Sequence, residues 1–423
     1  MGTTMPSSGD ENRTNVEQLL RGEAPQVLGA LVRRFGRFDV AEDAVQEAFL
    51  AASRQWRDDG TPDDPRAWLI RVAYRRMIDR LRSEQAERRR QLTVAHTDPR
   101  SYAPERPGPA AIERDDSLNL FLLCCHPVLS VASQIALTLR AVGGLRTVEI
   151  AHAYGVTEQT MGTRISRAKQ QLKRSGARFE LTDADDARRR VDTVMRVLYL
   201  VFNEGYTASA GNELSRADLT LEAIRLSRML CELMPQSSEA QGLLALMLLT
   251  EARRPARMDV DHELVPMSDQ DRGRWDRDMI AEGVTLIEAA WRRDQVGGYQ
   301  LQAAIAAVHA EATGTEDTDW PQIAALYLWL ERLEPTAPVR LSRVVAVAHA
   351  YGPQRGLALL DELDRAHGLS ESPLVTGRVP AVRAHLLDLV GERARARDEY
   401  LSAAERTGNT VEQRYLRRRA EQD

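Results

Sequence analysis

Hydrophobic positions recur at helical spacing along nearly the whole chain, and no segment alternates convincingly as a strand would, so the expected fold class is all-α. In DVAEDAVQEAFLAASRQW, Ala41, Val45, Ala48, Ala52 and Trp56 share one helical face, while Glu42, Asp43, Gln46 and Glu47 lie on the other. The loop RDDGTPDDP breaks that helix at Gly60, Pro62 and Pro65. A second helix restarts near Arg66 with Leu69, Val72, Ala73, Met77 and Leu81 inward, and residues 13–91 read as a small helical bundle. Residues 92–116 are rich in proline and glycine and lack periodicity, as a linker would. A second helical unit is expected over 117–178. From 183 to 423 helix follows helix. There ELMP at 232–235 and RLEP at 332–335 close helices alike, and helix pairs recur every roughly 33 to 40 residues, the spacing of a tetratricopeptide-like repeat array. Within that array Tyr327, Trp329 and Tyr351 are read as core rather than as lining of a groove.

The sharpest local pattern is LRTVEIAHAYGVTEQTMGTRISRAKQQLKR, which has the form of a helix-turn-helix. A first helix over Thr147–Tyr154 carries apolar Ile150 and Ala151, Gly155 supplies a turn where positive φ is cheap, and Val156 is expected to pack inward. Thr157 is placed to cap the second helix. On that helix Met161, Ile165, Ala168 and Leu172 fall on one side, which leaves Gln159, Thr160, Thr163, Arg164, Arg167 and Lys169 outward. All six are residue types that reach base edges or phosphates in a major groove. Gly162 interrupts the helix, at a cost of about 1 kcal/mol relative to alanine.

Charge sharpens this division. The chain has a formal net charge of -5, but through Arg178 it holds 27 Arg and Lys against 22 Asp and Glu, and beyond it 30 against 40. A basic N-terminal part suits a polyanion partner, and the acidic remainder is repelled by one. The helix RAWLIRVAYRRMIDRLRSEQAERRR has nine arginines against three acids. Its Arg71, Tyr74, Arg75, Arg76, Arg80 and Arg82 interleave an aromatic ring with cations, as a platform for unpaired bases beside a phosphate track requires. Tyr74 is equally well read as a packed residue.

Little points to catalysis. There is no phosphate-binding glycine loop, no nucleophile elbow and no paired metal motif, and the eight histidines, His152 and His309 among them, are scattered. No cofactor, metal or catalytic residue is expected. Cys124, Cys125 and His126 sit in the apolar stretch LFLLCCHPVL, where core packing accounts for them better than zinc. With three cysteines, a polar N-terminus and no apolar run of roughly 18 to 20 residues, a cytoplasmic protein without a membrane span is expected.

Taken together, AEDAVQEAFLAASRQW, PRAWLIRVAYRRMIDRLR, the linker and the helix-turn-helix closely resemble the extracytoplasmic-function (ECF) group of sigma-70 factors over about residues 16–178. The resemblance implies a promoter-recognition subunit that binds core RNA polymerase and directs transcription initiation. It implies that Asp43, Gln46 and Glu47 dock on the β' clamp coiled coil and that the arginine-rich helix recognises and opens the minus-ten element. The helix-turn-helix would read the minus-thirty-five element and touch the β flap. The stretch YLVFNEGYTASAG at 199–211 resembles the start of the repeat-like extension of the branch often called ECF42, in which the fused domain is thought to take part in control. Asn203 and Glu204 within it also read as simple capping residues. The C-terminal domain is expected to modulate activity through intramolecular contact with the DNA-binding units. The competing reading is a conventional helix-turn-helix regulator whose repeat domain senses a ligand or partner. Such a regulator has no use for an acidic docking helix followed by a basic, aromatic-bearing one.

Overall fold

The structure is a computed structural model that describes residues 8–91, 116–177, 184–208, 210–211, 214–293 and 296–422. Apart from Asp116, the expected linker lies outside these residues. The chain divides into two compact units, 1–197 and 198–423.

In the first unit α1 (Ser8–Phe35), α2 (Phe38–Asp59) and α3 (Pro65–Gln91) pack on one another. The α2 stripe is buried as its spacing demands, from Ala41 to Trp56, whose ring meets Trp68 edge-on at 5.3 Å. Leu69, Ala73 and Met77 of α3 are buried too, whereas Val72 and Leu81 are half-buried at the margin of the stripe. Burial of each large apolar side chain contributes about 1.5–3 kcal/mol, enough to orient a helix of mixed composition. Then follow α4 (Ser117–Cys124), α5 (Val131–Ala141), α6 (Thr147–Ala153) and α7 (Glu158–Ser175). Ser130 caps α5, its hydroxyl oxygen accepting the Ser133 N–H at 3.3 Å. Cys124 and Cys125 are fully buried in this core, and burial pushes the Cys125 thiol up to about 12. No cluster of His, Cys, Asp and Glu suited to a metal occurs among the described residues.

Helix α8 (Ala184–Tyr206) begins in the first unit and ends in the second. The second unit continues through β1 (Ala210–Gly211), α9 (Ala217–Leu233), α10 (Ser238–Glu251), a segment holding three short 3₁₀ turns, α11 (Arg277–Trp291) and α12 (Gly298–Glu311). It ends with α13 (Trp320–Leu333), α14 (Ala337–Tyr351), α15 (Pro353–His367), α16 (Arg378–Leu389), α17 (Arg393–Arg406), β2 (Gly408–Asn409) and α18 (Thr410–Glu421). From α9 onward each helix packs on the next, as short connections require. ELMP and RLEP do close helices, α9 and α13. The far end of the array returns to its start: β1 and β2 pair in parallel, Ala210 with Gly408, and the Asn409 amide donates to the Ala208 carbonyl at 3.0 Å.

Two expectations need correction here. Tyr327 packs on a core of Leu301, Ile323 and Leu330, but Trp329 and Tyr351 are 53% and 50% exposed, Tyr351 with Arg355 of α15 5.9 Å from its ring centre. The NEGY stretch is also more than a helix end. A Cβ on Gly205 would lie 2.7 Å from the Thr220 nitrogen, so glycine there lets α8 and α9 approach. Glu204 meets Arg216 at 3.5 Å, and Asn203 is exposed. Among the described residues no helix is long and apolar enough to cross a membrane.

Candidate nucleic-acid interface

The helix-turn-helix is built by α6 and α7. Gly155 adopts φ 60°, which turns the chain between them, and the Thr157 hydroxyl accepts the Thr160 N–H at 3.2 Å. Val156, expected inside, is half-buried at this turn. The start of α6 is closed by Glu149, which accepts the Arg146 N–H at 2.7 Å and meets Arg21 of α1 at 2.9 Å. Burial pushes the Glu149 carboxyl up, but hydrogen bonds from Arg146 and the charges of Arg21 and Arg146 hold it below its ordinary value.

Met161, Ile165, Ala168 and Leu172 are all buried, and the opposite side of α7 presents the expected row. Gln159, Thr160, Thr163 and Arg167 are exposed and Arg164 is half-buried. Among the described residues neither Arg164 nor Arg167 has a carboxylate within 4 Å, so both guanidiniums are free to meet phosphate or base edges. Thr160 and Thr163 spend part of their capacity locally: the Thr160 hydroxyl lies 2.8 Å from that of Thr157, and Thr163 donates to the Gln159 carbonyl at 2.8 Å.

Lys169 does not join that row. Its side chain is only 13% exposed, its Nζ donates to Glu42 of α2, and Asp43 lies at 3.5 Å. Glu42, expected on the open polar face of α2, is 1% exposed, because α5 and α7 cover it. Its other carboxylate oxygen accepts from Arg140 of α5 at 2.7 Å. One residue pair further along, Lys173 meets Asp39 at 3.2 Å, and Arg37 holds Asp39 at 3.2 Å and Glu84 at 3.3 Å. Burial raises the Asp39 carboxyl, but Arg37 and Lys173 more than offset it and keep the group below its ordinary range. A cleft beside this clip is lined by Val32, Arg37, Asp39, Lys169 and Lys173.

The acidic face of α2 is engaged with α3 as well. Arg80 bridges Asp43, at 2.7 Å, and Glu47, and Arg76 approaches Glu47 at 3.7 Å. Gln46 is half-buried between them in sequence. The basic set of α3 therefore splits. Arg76 and Arg80 answer the α2 carboxylates, while Arg71, Arg75 and Arg82 are exposed with no carboxylate within 4 Å among the described residues. Tyr74 is half-buried with its ring 5.3 Å from Phe35, tilted by 46°, which ties its inner face to α1.

Sequence reasoning missed Glu42 as a buried anchor and did not single out Arg140, Lys173 or Asp39. The one available signal was Arg140, an isolated cation in the apolar run IALTLRAVGG.

Comparison with known proteins bears on these helices directly. Residues 19–87 match Sigma-70 region 2, residues 122–172 match Sigma-70, region 4, and residues 190–291 match a family of unknown function, DUF6596. An uncharacterized protein of Rhizobium meliloti (strain 1021) is 41% identical over 412 residues, 95% of this chain and 94% of its own. "Probable ECF RNA polymerase sigma factor SigI" of Mycobacterium tuberculosis is 33% identical over 157 residues, 37% of this chain and about half (53%) of that relative. The ECF RNA polymerase sigma factor SigK of Mycobacterium ulcerans is 26% identical over 185 residues, 40% of this chain and 96% of its own. No solved structure matches. A capped helix-turn-helix with an open basic row, set on a helical bundle with an acidic and a basic helix, together with these matches, shows that the chain carries sigma-70 region 2 and region 4 and supports a sigma factor's function in transcription initiation.

Proposed function

We propose that this sigma factor makes three separate contacts. Asp43, Gln46 and Glu47 dock on the β' clamp coiled coil of core RNA polymerase. Arg71, Tyr74, Arg75, Arg76, Arg80 and Arg82 engage the minus-ten element as it opens. Gln159, Thr160, Thr163, Arg164, Arg167 and Lys169 meet the minus-thirty-five duplex while the same module touches the β flap. The working segments are 13–91, 117–178 and a tetratricopeptide-like extension over 183–423, of the branch called ECF42, that modulates activity.

The observation that carries this reading is the row Gln159, Thr163 and Arg167, exposed over a buried stripe, with Arg167 and its neighbour Arg164 without an acidic partner among the described residues. The paired residues refine it. Lys169 reaches phosphate only when Glu42 releases it, and Asp43 and Glu47 reach polymerase only in exchange for Arg80 and Arg76, so both contacts begin with a trade of ion pairs. Run-off transcription with purified core polymerase tests the assignment. Arg164→Ala should weaken promoter choice at unchanged core affinity, and Asp43→Ala should weaken core capture. Equal activity of both variants with the unaltered chain would overturn it.

A further inference from the structure

The second unit holds a concentration of positive charge that its own carboxylates do not answer. Arg253 follows α10, Arg257 ends the first 3₁₀ turn, and Arg272 opens the last one before α11. Arg257 and Arg272 are each only 8% exposed. Both are satisfied by oxygens that carry no charge. Arg257 donates to the Tyr206 carbonyl and to the Thr207 hydroxyl at 3.0 Å, with its guanidinium 3.8 Å from the centre of the Tyr206 ring. Arg272 donates to the carbonyls of His309 and Ala312 at 2.7 and 2.8 Å and to the Thr318 hydroxyl at 3.2 Å.

Arg253 is different. It faces the same Tyr206 ring at 6.0 Å, gives one Nη to the Met267 thioether at 2.6 Å, and keeps a buried Nε with no acceptor. Among the described residues none of the three guanidiniums has a carboxylate within 4 Å. Glu251 is taken by Arg254 at 2.6 Å, and Glu263 by Arg414 and Arg418. Glu251 and Glu412 reach Arg257, and Asp317 and Glu316 reach Arg272, only through the field. The balance stays unfavourable to more positive charge: burial, then repulsion from Arg253, lowers both Arg257 and Arg272 below their ordinary value.

A second buried polar atom without a hydrogen-bond partner shares this field. The Nδ1 of His309, on α12, is buried without a hydrogen-bond partner. Burial, with Arg253, Arg272 and His349, pushes that imidazole down to about 3, so it is neutral and able to carry its proton on Nδ1. The ends of α10 and α12 meet through Ala252, Ala256, Ala307 and Ala310, which form one core cluster with Trp275. Buried donors left unmade are costly, and a guanidinium fork is suited to two oxygens of one planar or tetrahedral anion.

We propose that Arg253, with the free Nδ1 edge of His309, is the recognition point in the second unit for a small oxyanion, a phosphate or carboxylate group borne by a small molecule. Arg257 and Arg272 act as positioning residues: held by carbonyls, they supply fixed positive charge without competing for the ligand. The extension then has its own ligand, independent of polymerase and promoter.

Titration calorimetry and thermal melting of the full chain with inorganic phosphate, and separately with acetate, at ionic strength held constant with chloride, test this. The unaltered chain should bind at least one of the two anions saturably and melt higher in its presence. Binding of phosphate alone, or of acetate alone, identifies the group. Arg253→Gln should weaken binding at least tenfold and, with no anion present, melt no lower than the parent, since one repelling charge is gone. Arg253→Lys, which keeps charge but loses the fork, should bind at an intermediate level, and Arg397→Gln, on the exposed face of α17, should match the parent. No saturable binding of either anion, or equal binding by Arg253→Gln, overturns the proposal.

Discussion

Replacing Glu42 by glutamine removes one charge and almost no volume, so its effect isolates the electrostatics of the clip between α2, α5 and α7. The carboxylate is 1% exposed and holds Arg140 and Lys169, whose side chains are 15% and 13% exposed. Taking the anion from a buried pair costs roughly 3–5 kcal/mol, because the cations stay desolvated without compensation. Arg140 keeps the Leu145 carbonyl at 3.1 Å and Lys169 keeps Asp43 at 3.5 Å, so the lower end, about 3 kcal/mol, is expected. Adding Lys169→Met should restore part of that loss, since one stranded cation is replaced by an apolar chain, and the double variant should be more stable than the sum of the singles. Urea unfolding gives the free energies, and hydrogen exchange of peptides from α7 assigns the change to this helix. Because the pair is buried, added salt should hardly alter the difference. A loss below about 1 kcal/mol, or strictly additive singles, would refute the clip as a buried ion pair.

Further outcomes follow from the same geometry. Gly162→Ala should stabilise the first unit by about 1 kcal/mol, since the added Cβ meets only the Thr147 methyl at 3.9 Å; a lower melting temperature would contradict this. Arg167→Ala should lower duplex affinity and reduce the slope of log K against log salt by about 1, as one lost phosphate contact does; an unchanged slope would exclude that contact. Asp39 and Glu149 titrate below their ordinary values of 3.8 and 4.5, so the unfolded chain binds their protons more readily. The stability they contribute is complete above those values and is lost as pH falls through the lower folded ones. Acid unfolding should show it, and Lys173→Ala should shrink the Asp39 share; a first unit whose stability is flat from pH 5 down to about 2 would contradict the sign.

The helix-turn-helix was legible because every part of it is local. Thr157, Gly155 and the stripe from Met161 to Leu172 act within one turn or one face, and periodicity reports that directly. The residues misjudged are those whose fate depends on a distant neighbour. Lys169 sits at the edge of the α7 stripe, and nothing in its own helix says that Glu42, 127 residues away, closes over it. Glu42 itself looks like any acid on a solvated face, since its cover comes from α5 and α7. Trp329 and Tyr351 failed in the opposite direction. Their composition suggested burial, but a helix in an array buries only part of its circumference, and these two positions fell outside the buried stripe. Gly205 was not singled out, because close helix approach leaves no periodic mark. Charge was read correctly in bulk, a basic first part and an acidic second, but the sum concealed the unanswered arginines at 253, 257 and 272 inside the acidic half.

The most direct test of the central claim is the affinity of the purified, fluorescently labelled chain for core RNA polymerase freed of its resident specificity subunit, measured by anisotropy. Tight, saturable association that Asp43→Ala weakens at least tenfold is the expected result. Failure of the unaltered chain to bind core polymerase would contradict the account at its root.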